Sequence, residues 1–140
     1  MNQSACHCVN LRRATSALTD HYSRLLGPSG LSLPQFSLLK NLADLGNCST
    51  TDLARRVRLE HSTLVRNLHL LEAQGLVSDK REQGRKRSVW HLTDKGRRAL
   101  ATGLPLWEQA QNTVEQALGE EGLARFNELL EKLQALGESR

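Results

Sequence analysis

The run LEHSTLVRNLHLLEAQG, residues 59–75, decides the fold. Leu64, Leu68 and Leu71 recur every three or four residues and form an apolar stripe on a helix, while His61, Ser62, Arg66 and Asn67 fall on or near the opposite side. One face is suited to a core and the other to contact. Gly75 follows where a helix stops in the left-handed conformation, and Leu76 and Val77 open an extended segment. Ahead of it, residues 49–58 read as a shorter helix that Ser49 can cap with Asp52, with Leu53, Ala54 and Val57 as its inner face. Two successive helices, the second with a polar outer edge, have the layout of a helix-turn-helix, in which the second helix enters the major groove.

The next residues sharpen this reading. Residues 77–81 (VSDKR) and 88–92 (SVWHL) are short strand candidates, and the segment between them, EQGRKR, is polar, basic and contains Gly84. A basic hairpin tip after a recognition helix is a wing. The run ST-LVR-L--LE-QGLV, followed by R---RK and then LTDKG, resembles the MarR family of winged-helix transcriptional regulators, in order and spacing over nearly the whole chain. The resemblance implies a mainly α fold: a winged helix-turn-helix with a short two-stranded wing hairpin, plus an N- and C-terminal helical dimerisation region. At one position the chain departs from the family, whose members often carry an aspartate before the wing arginine. Gly84 stands there, so the wing is looser or Glu82 supplies the acid.

Elsewhere the first eight residues have no period and read as an arm or a loose first turn. Leu11, Ala14, Leu18, Tyr22 and Leu25 then define a helix over residues 9–26, ended by Gly27, Pro28 and Gly30. Ser32 and Gln35 form a candidate capping box, Pro34 is tolerated in a first turn, and Phe36, Leu39 and Leu42 mark a helix ending near Gly46. After the wing, Thr93 can cap a long helix that Gly103 and Pro105 bend, and the Gly119–Gly122 stretch breaks the chain before a last amphipathic helix carrying Leu129, Leu133 and Leu136. These C-terminal helices hold more apolar surface than one small winged helix needs. They are either a dimer interface or an intrachain cap. The resemblance implies one MarR-like domain over residues 1–140, with residues 32–93 as the DNA-binding lobe and residues 9–26 and 94–137 as a dimerisation lobe. It also implies a homodimer that sets two recognition helices one turn of DNA apart, on a palindromic operator.

A chain of 140 residues suffices for one compact unit. Its net charge of +4 alone says little, but residues 55–98 carry twelve Lys/Arg against five Asp/Glu and the remainder seven against ten. The positive charge therefore lies on the proposed DNA-binding unit. No apolar run approaches the roughly 18 residues that span a membrane, and the N-terminus has no signal pattern, so a cytoplasmic protein is expected. No cofactor is expected either. No catalytic triad order, phosphate-cradling loop or carboxylate pair stands out, which leaves a nonspecific or architectural DNA binder as the alternative to a sequence-specific regulator.

Arg66 can donate a bidentate pair to guanine, Asn67 can pair with adenine if it turns to the groove, and His61, Ser62 and Thr63 meet the groove near the helix start. At the wing, Arg85, Lys86 and Arg87, with Arg81 behind them, suit a narrow minor groove. Thr50 and Thr51 are candidates for phosphate contacts at a helix start.

The signal that would control binding is open. Members of the family commonly bind a small apolar anion, and others sense oxidant at a cysteine or bind a metal. Cys6, Cys8 and Cys48 are candidates for redox or soft-metal sensing. A bond between Cys6 and Cys8 closes a strained ring, so pairing with another subunit or with Cys48 is preferred. Arg12, Arg13, His7 and a helix N-terminus would favour a thiolate at Cys6 or Cys8. The Cys-His-Cys spacing is too tight for an ordinary structural zinc site, and no metal ligand set is assigned. A small-molecule pocket would draw on Arg13, His21, Tyr22, Phe36 and Trp107, whose rings serve equally well as core.

Overall fold

The structure, a computed structural model, describes residues 4–81 and 87–138. Helix α1, His7–Leu26, starts two residues before the expected range of 9–26. The side chain of Asn10 reaches back to close this turn: the Ser4 N–H donates to Asn10 Oδ1 at 2.9 Å and Asn10 Nδ2 donates to the Ser4 carbonyl at 2.7 Å. Such a polar latch leaves no trace in hydrophobic spacing. A 3₁₀ turn, Gly27–Ser29, leads into α2, Leu33–Leu45, whose capping box is complete: the Gln35 N–H donates to Ser32 Oγ, and the Ser32 N–H donates to Gln35 Oε1.

Strand β1, Cys48–Ser49, precedes α3, Thr50–Val57, and α4, His61–Ala73. Ser49 caps α3 by accepting the Asp52 N–H at 3.1 Å. Helix α4 ends as its sequence predicts, with Gly75 at φ 76°; the Leu76 N–H donates to the Leu71 carbonyl and the Gly75 N–H to that of Glu72. Strands β2, Val77–Asp79, and β3, Val89–Leu92, are the wing. The sheet has three strands rather than two, in the order β1-β3-β2 and antiparallel, with Cys48 opposite Trp90 and Val77 opposite Leu92. A two-residue strand carries no period, and β1 was therefore invisible to pattern.

Helix α5, Asp94–Glu138, runs through Gly103 and Pro105 and breaks at Gly119, which sits at φ 73°, ψ 171°. The chain forms two compact units, Met1–Trp107 and Glu108–Arg140. In the first, Phe36, Leu39, Leu53, Leu64, Leu68 and Trp90 are at most 2 % exposed and unite α2, α3, α4 and the sheet. Each such apolar side chain contributes about 1.5–3 kcal/mol by burial. In the second, Leu118, Leu129, Leu133 and Leu136 are all exposed. Among the described residues, no helix is long and apolar enough to cross a membrane.

The LTDKG segment ties α4 to α5. Thr93 Oγ1 donates to the Gly75 carbonyl at 2.6 Å and accepts the Gly96 N–H at 3.0 Å, so one hydroxyl ends one helix and begins the next. Lys95 Nζ donates to the Gln74 carbonyl at 2.8 Å, and the Thr93 N–H to that of Leu76 at 3.1 Å. Gly96 lies against Leu76 so closely that a Cβ would fall 2.0 Å from its carbonyl oxygen.

Candidate nucleic-acid interface

The recognition surface follows from how α4 is held. Leu64, Leu68 and Leu71 are at most 1 % exposed, which turns His61, Ser62 and Arg66 to solvent. Among the described residues Arg66 has no hydrogen-bond or ion-pair partner, so its five donors remain available to a base edge. Thr63 is half-buried at the start of the helix. Asn67 takes a different direction: it lines a small cleft with Ser32, Pro34, Gln35 and Leu70, on the side of α4 that meets the start of α2. His69, exposed on α4, sets its ring edge-on to that of Trp90 at 5.8 Å.

Thr51 is exposed at the start of α3, whereas Thr50 is half-buried and accepts the indole N–H of Trp90 at 3.0 Å. At the base of the wing, Arg81 donates to Ser88 Oγ at 3.1 Å and lies 3.8 Å from Asp79, while the Val89 N–H donates to Asp79 Oδ1. Arg81 thus braces the two wing strands as well as adding charge. Arg87 is exposed, and Arg85 and Lys86 lie outside the described residues. Helices α3 and α4 and the described wing residues together present cations and helix starts, with Arg66 of α4 unpaired among the described residues, which suits a polyanionic duplex.

Comparison with known proteins agrees with this geometry. A family model described as "MarR family" matches residues 29–88. The chain is 34% identical to the Mycobacterium tuberculosis transcriptional regulator MosR, solved in complex with DNA, over 96% of this chain and 98% of that one, with a TM-score of 0.83. It belongs to the MarR family. Fold similarity extends to the transcriptional repressor CouR bound to a 23-mer DNA duplex (24% identity, 92% of each chain, TM-score 0.82) and to Staphylococcus aureus MepR in complex with DNA (17% identity, 93% of this chain and 95% of that one, TM-score 0.79). Comparison with curated protein sequences returns no match. As a member of the MarR family the chain is a DNA-binding transcriptional regulator rather than an enzyme.

The residues proposed for MarR-type signal sensing are scattered. Cys6 and Cys8 are exposed, Cys6 as the N-cap of α1 and Cys8 within its first turn. Cys48 is buried in β1, where burial above all, with the nearby Asp52 carboxylate second, pushes its thiol above the usual range. At pH 8 iodoacetamide is therefore expected to label Cys6 and Cys8 in the native protein within minutes and Cys48 only after unfolding. Mass mapping that finds Cys48 modified at the same rate would contradict this. Among the described residues no group of three or more His, Cys, Asp or Glu side chains is placed to hold a metal ion.

Phe36 is core and stacks on Trp107 at 5.8 Å between ring centroids, His21 meets Tyr22 edge-on within α1, and Arg13 lies exposed on that helix. The aromatic count in the sequence could not separate core rings from pocket rings. A cleft of about 430 Å³ opens elsewhere, lined by Leu42 and Ala43 of α2, His91 and Leu92 of β3, and Arg97, Leu100 and Leu104 of α5. His91 Nδ1 is buried there and has no hydrogen-bond partner among the described residues. Burial, followed by the charge of Lys80, lowers the His91 pKa. The unfolded chain then takes up this proton before the folded one, so His91 makes stability fall as pH drops through about 6.5 and below. Urea midpoints at pH 7.5 and 5.5 should differ less for His91→Gln than for the parent; an unchanged difference would contradict the assignment.

Proposed function

We propose that this regulator is a homodimeric, sequence-specific repressor of a palindromic operator, released by oxidation at Cys6 or Cys8. One observation carries the specific reading: Arg66 stands exposed and unpaired among the described residues on a helix whose opposite face is fully buried, so its guanidinium is held ready for a guanine edge. Arg85, Lys86 and Arg87 add minor-groove contacts, and Thr50 and Thr51 hold the DNA backbone. Dimerisation is supported by apolar side chains left uncovered in each unit, Val9 and Leu11 in α1 and Leu129, Leu133 and Leu136 near the end of α5. MosR and CouR, solved on DNA, support the operator reading by likeness.

For the signal, the exposed thiols of Cys6 and Cys8 at a helix start favour oxidant over metal. Peroxide would convert one thiolate to a sulfenic acid, which a thiol of the second subunit can trap as a disulfide. A second reading, a small apolar anion, rests on the cleft beside Arg97 and His91. Fluorescence anisotropy on the duplex upstream of the protein's own gene, in excess competitor DNA, tests both. Binding that mild peroxide reverses in the parent but not in Cys6→Ser or Cys8→Ser supports the oxidant reading. Binding indifferent to peroxide ends it and favours the cleft, and loss of binding to competitor favours an architectural role. A 15.6 kDa species in sedimentation at micromolar concentration would exclude the dimer.

A further inference from the structure

Four threonine hydroxyls among the described residues give their proton to a carbonyl. Thr15, Thr19 and Thr113 donate to the residue four positions back, at 2.8–2.9 Å, and Thr93 donates to Gly75. Thr50 does the reverse. It is the first residue of α3, where the helix has no carbonyl one turn behind, and its Oγ1 accepts the Trp90 indole N–H at 3.0 Å. Among the described residues its own proton has no acceptor. Trp90 is 2 % exposed, and a buried indole N–H requires a partner, so the contact is held from the core side. Two hydrogens cannot share one direction around the oxygen. The Thr50 proton is turned away from the indole, at a helix start whose first N–H groups have no partner within the helix and where Ser49 caps that of Asp52.

We propose that Trp90 is a positioning residue for DNA binding: its N–H occupies the acceptor side of the Thr50 hydroxyl, so that the hydroxyl proton is presented to a phosphate oxygen of the duplex. This rests on the reading of Thr50 as a backbone contact. Trp90 never touches DNA in this scheme; it fixes which way a neutral donor points. The ring also supplies core volume, and a test has to separate the two roles.

The experiment uses the full chain and a duplex that it selects from a random-sequence pool, with methylphosphonate replacing single phosphates in turn. In the parent, one neutralised position per half-site is expected to weaken binding. Thr50→Val should weaken binding to the unmodified duplex about tenfold, as expected for loss of one hydrogen bond to a charged group, and should shrink the penalty at that one position. Trp90→Phe keeps a buried ring without the N–H, and it should shrink the same penalty and add little to Thr50→Val. Thr50→Val binding like the parent would remove the backbone contact itself, and with it the proposal. A weakened Thr50→Val beside a Trp90→Phe that keeps the full methylphosphonate penalty would leave the contact standing and reduce Trp90 to a core residue. Should Trp90→Phe not fold, replacement of Trp90 by 3-benzothienylalanine, which swaps the N–H for sulfur in the same ring shape, gives the same comparison.

Discussion

Gly96→Ala is expected to destabilise the DNA-binding lobe by about 3–5 kcal/mol, near the upper end for a single substitution. The sign is opposite to the usual one, since alanine within a helix is ordinarily favoured over glycine by about 1 kcal/mol. What reverses it is the backbone: the new Cβ would stand 2.0 Å from the Leu76 carbonyl oxygen and 3.0 Å from its carbon. Neither atom belongs to a side chain that can turn aside. Relief requires the start of α5 to move off the turn that ends at Leu76, which breaks the Thr93–Leu76, Thr93–Gly75 and Lys95–Gln74 hydrogen bonds together. Gly103→Ala is the control, because its Cβ would meet the Phe36 ring at 3.0 Å and a ring can shift, for a loss of about 1 kcal/mol. Urea unfolding followed by circular dichroism measures both. A Gly96→Ala midpoint equal to or above that of the parent would refute the packing argument.

Arg66→Ala is expected to abolish discrimination between operator and scrambled duplex while leaving the protein folded. The side chain is exposed and supports no hydrogen bond or ion pair among the described residues, so its removal costs the fold little. A bidentate arginine–guanine pair is worth about 1–3 kcal/mol of discrimination, and the proposed dimer makes it in both half-sites. The ratio of operator to scrambled affinity should therefore fall by about 30-fold or more, with residual binding that still weakens steeply with salt. Retained discrimination would show that the specific contacts lie elsewhere on α4 or the wing.

The contrast between these two residues shows what was legible in the chain. Arg66 is readable because apolar spacing alone orients α4: once Leu64, Leu68 and Leu71 are assigned to the core, the residue between them must face outward. Capping and stop residues were readable too: both caps, Ser32 with Gln35 and Ser49 with Asp52, the left-handed stop at Gly75, and the break in the Gly119–Gly122 stretch, where Gly119 leaves the helical conformation. Gly96 was not readable, because a close backbone approach between segments distant along the helix–sheet junction has no periodic signature. Nor was the direction of Asn67, one residue from Arg66 yet turned toward α2, or the bond from Trp90 to Thr50 across 40 residues. Local pattern orients an element; it does not report the neighbour that element meets. The wing illustrates the remainder, since Arg81 reads as one more cation but also bridges Asp79 and Ser88.

The hydroxyl of Thr93 and the amine of Lys95 have a practical consequence for transplanting specificity. Because the carbonyls of the turn that ends α4, at Gln74 and Gly75, are satisfied by side chains that lie beyond the wing, a recognition helix grafted alone with its turn would arrive without those ligands. The smallest exchangeable cassette runs from the turn before α4 through Gly96. Chimaeras cut inside that stretch should express poorly whatever their operator, and chimaeras cut outside it should carry their donor's operator with them.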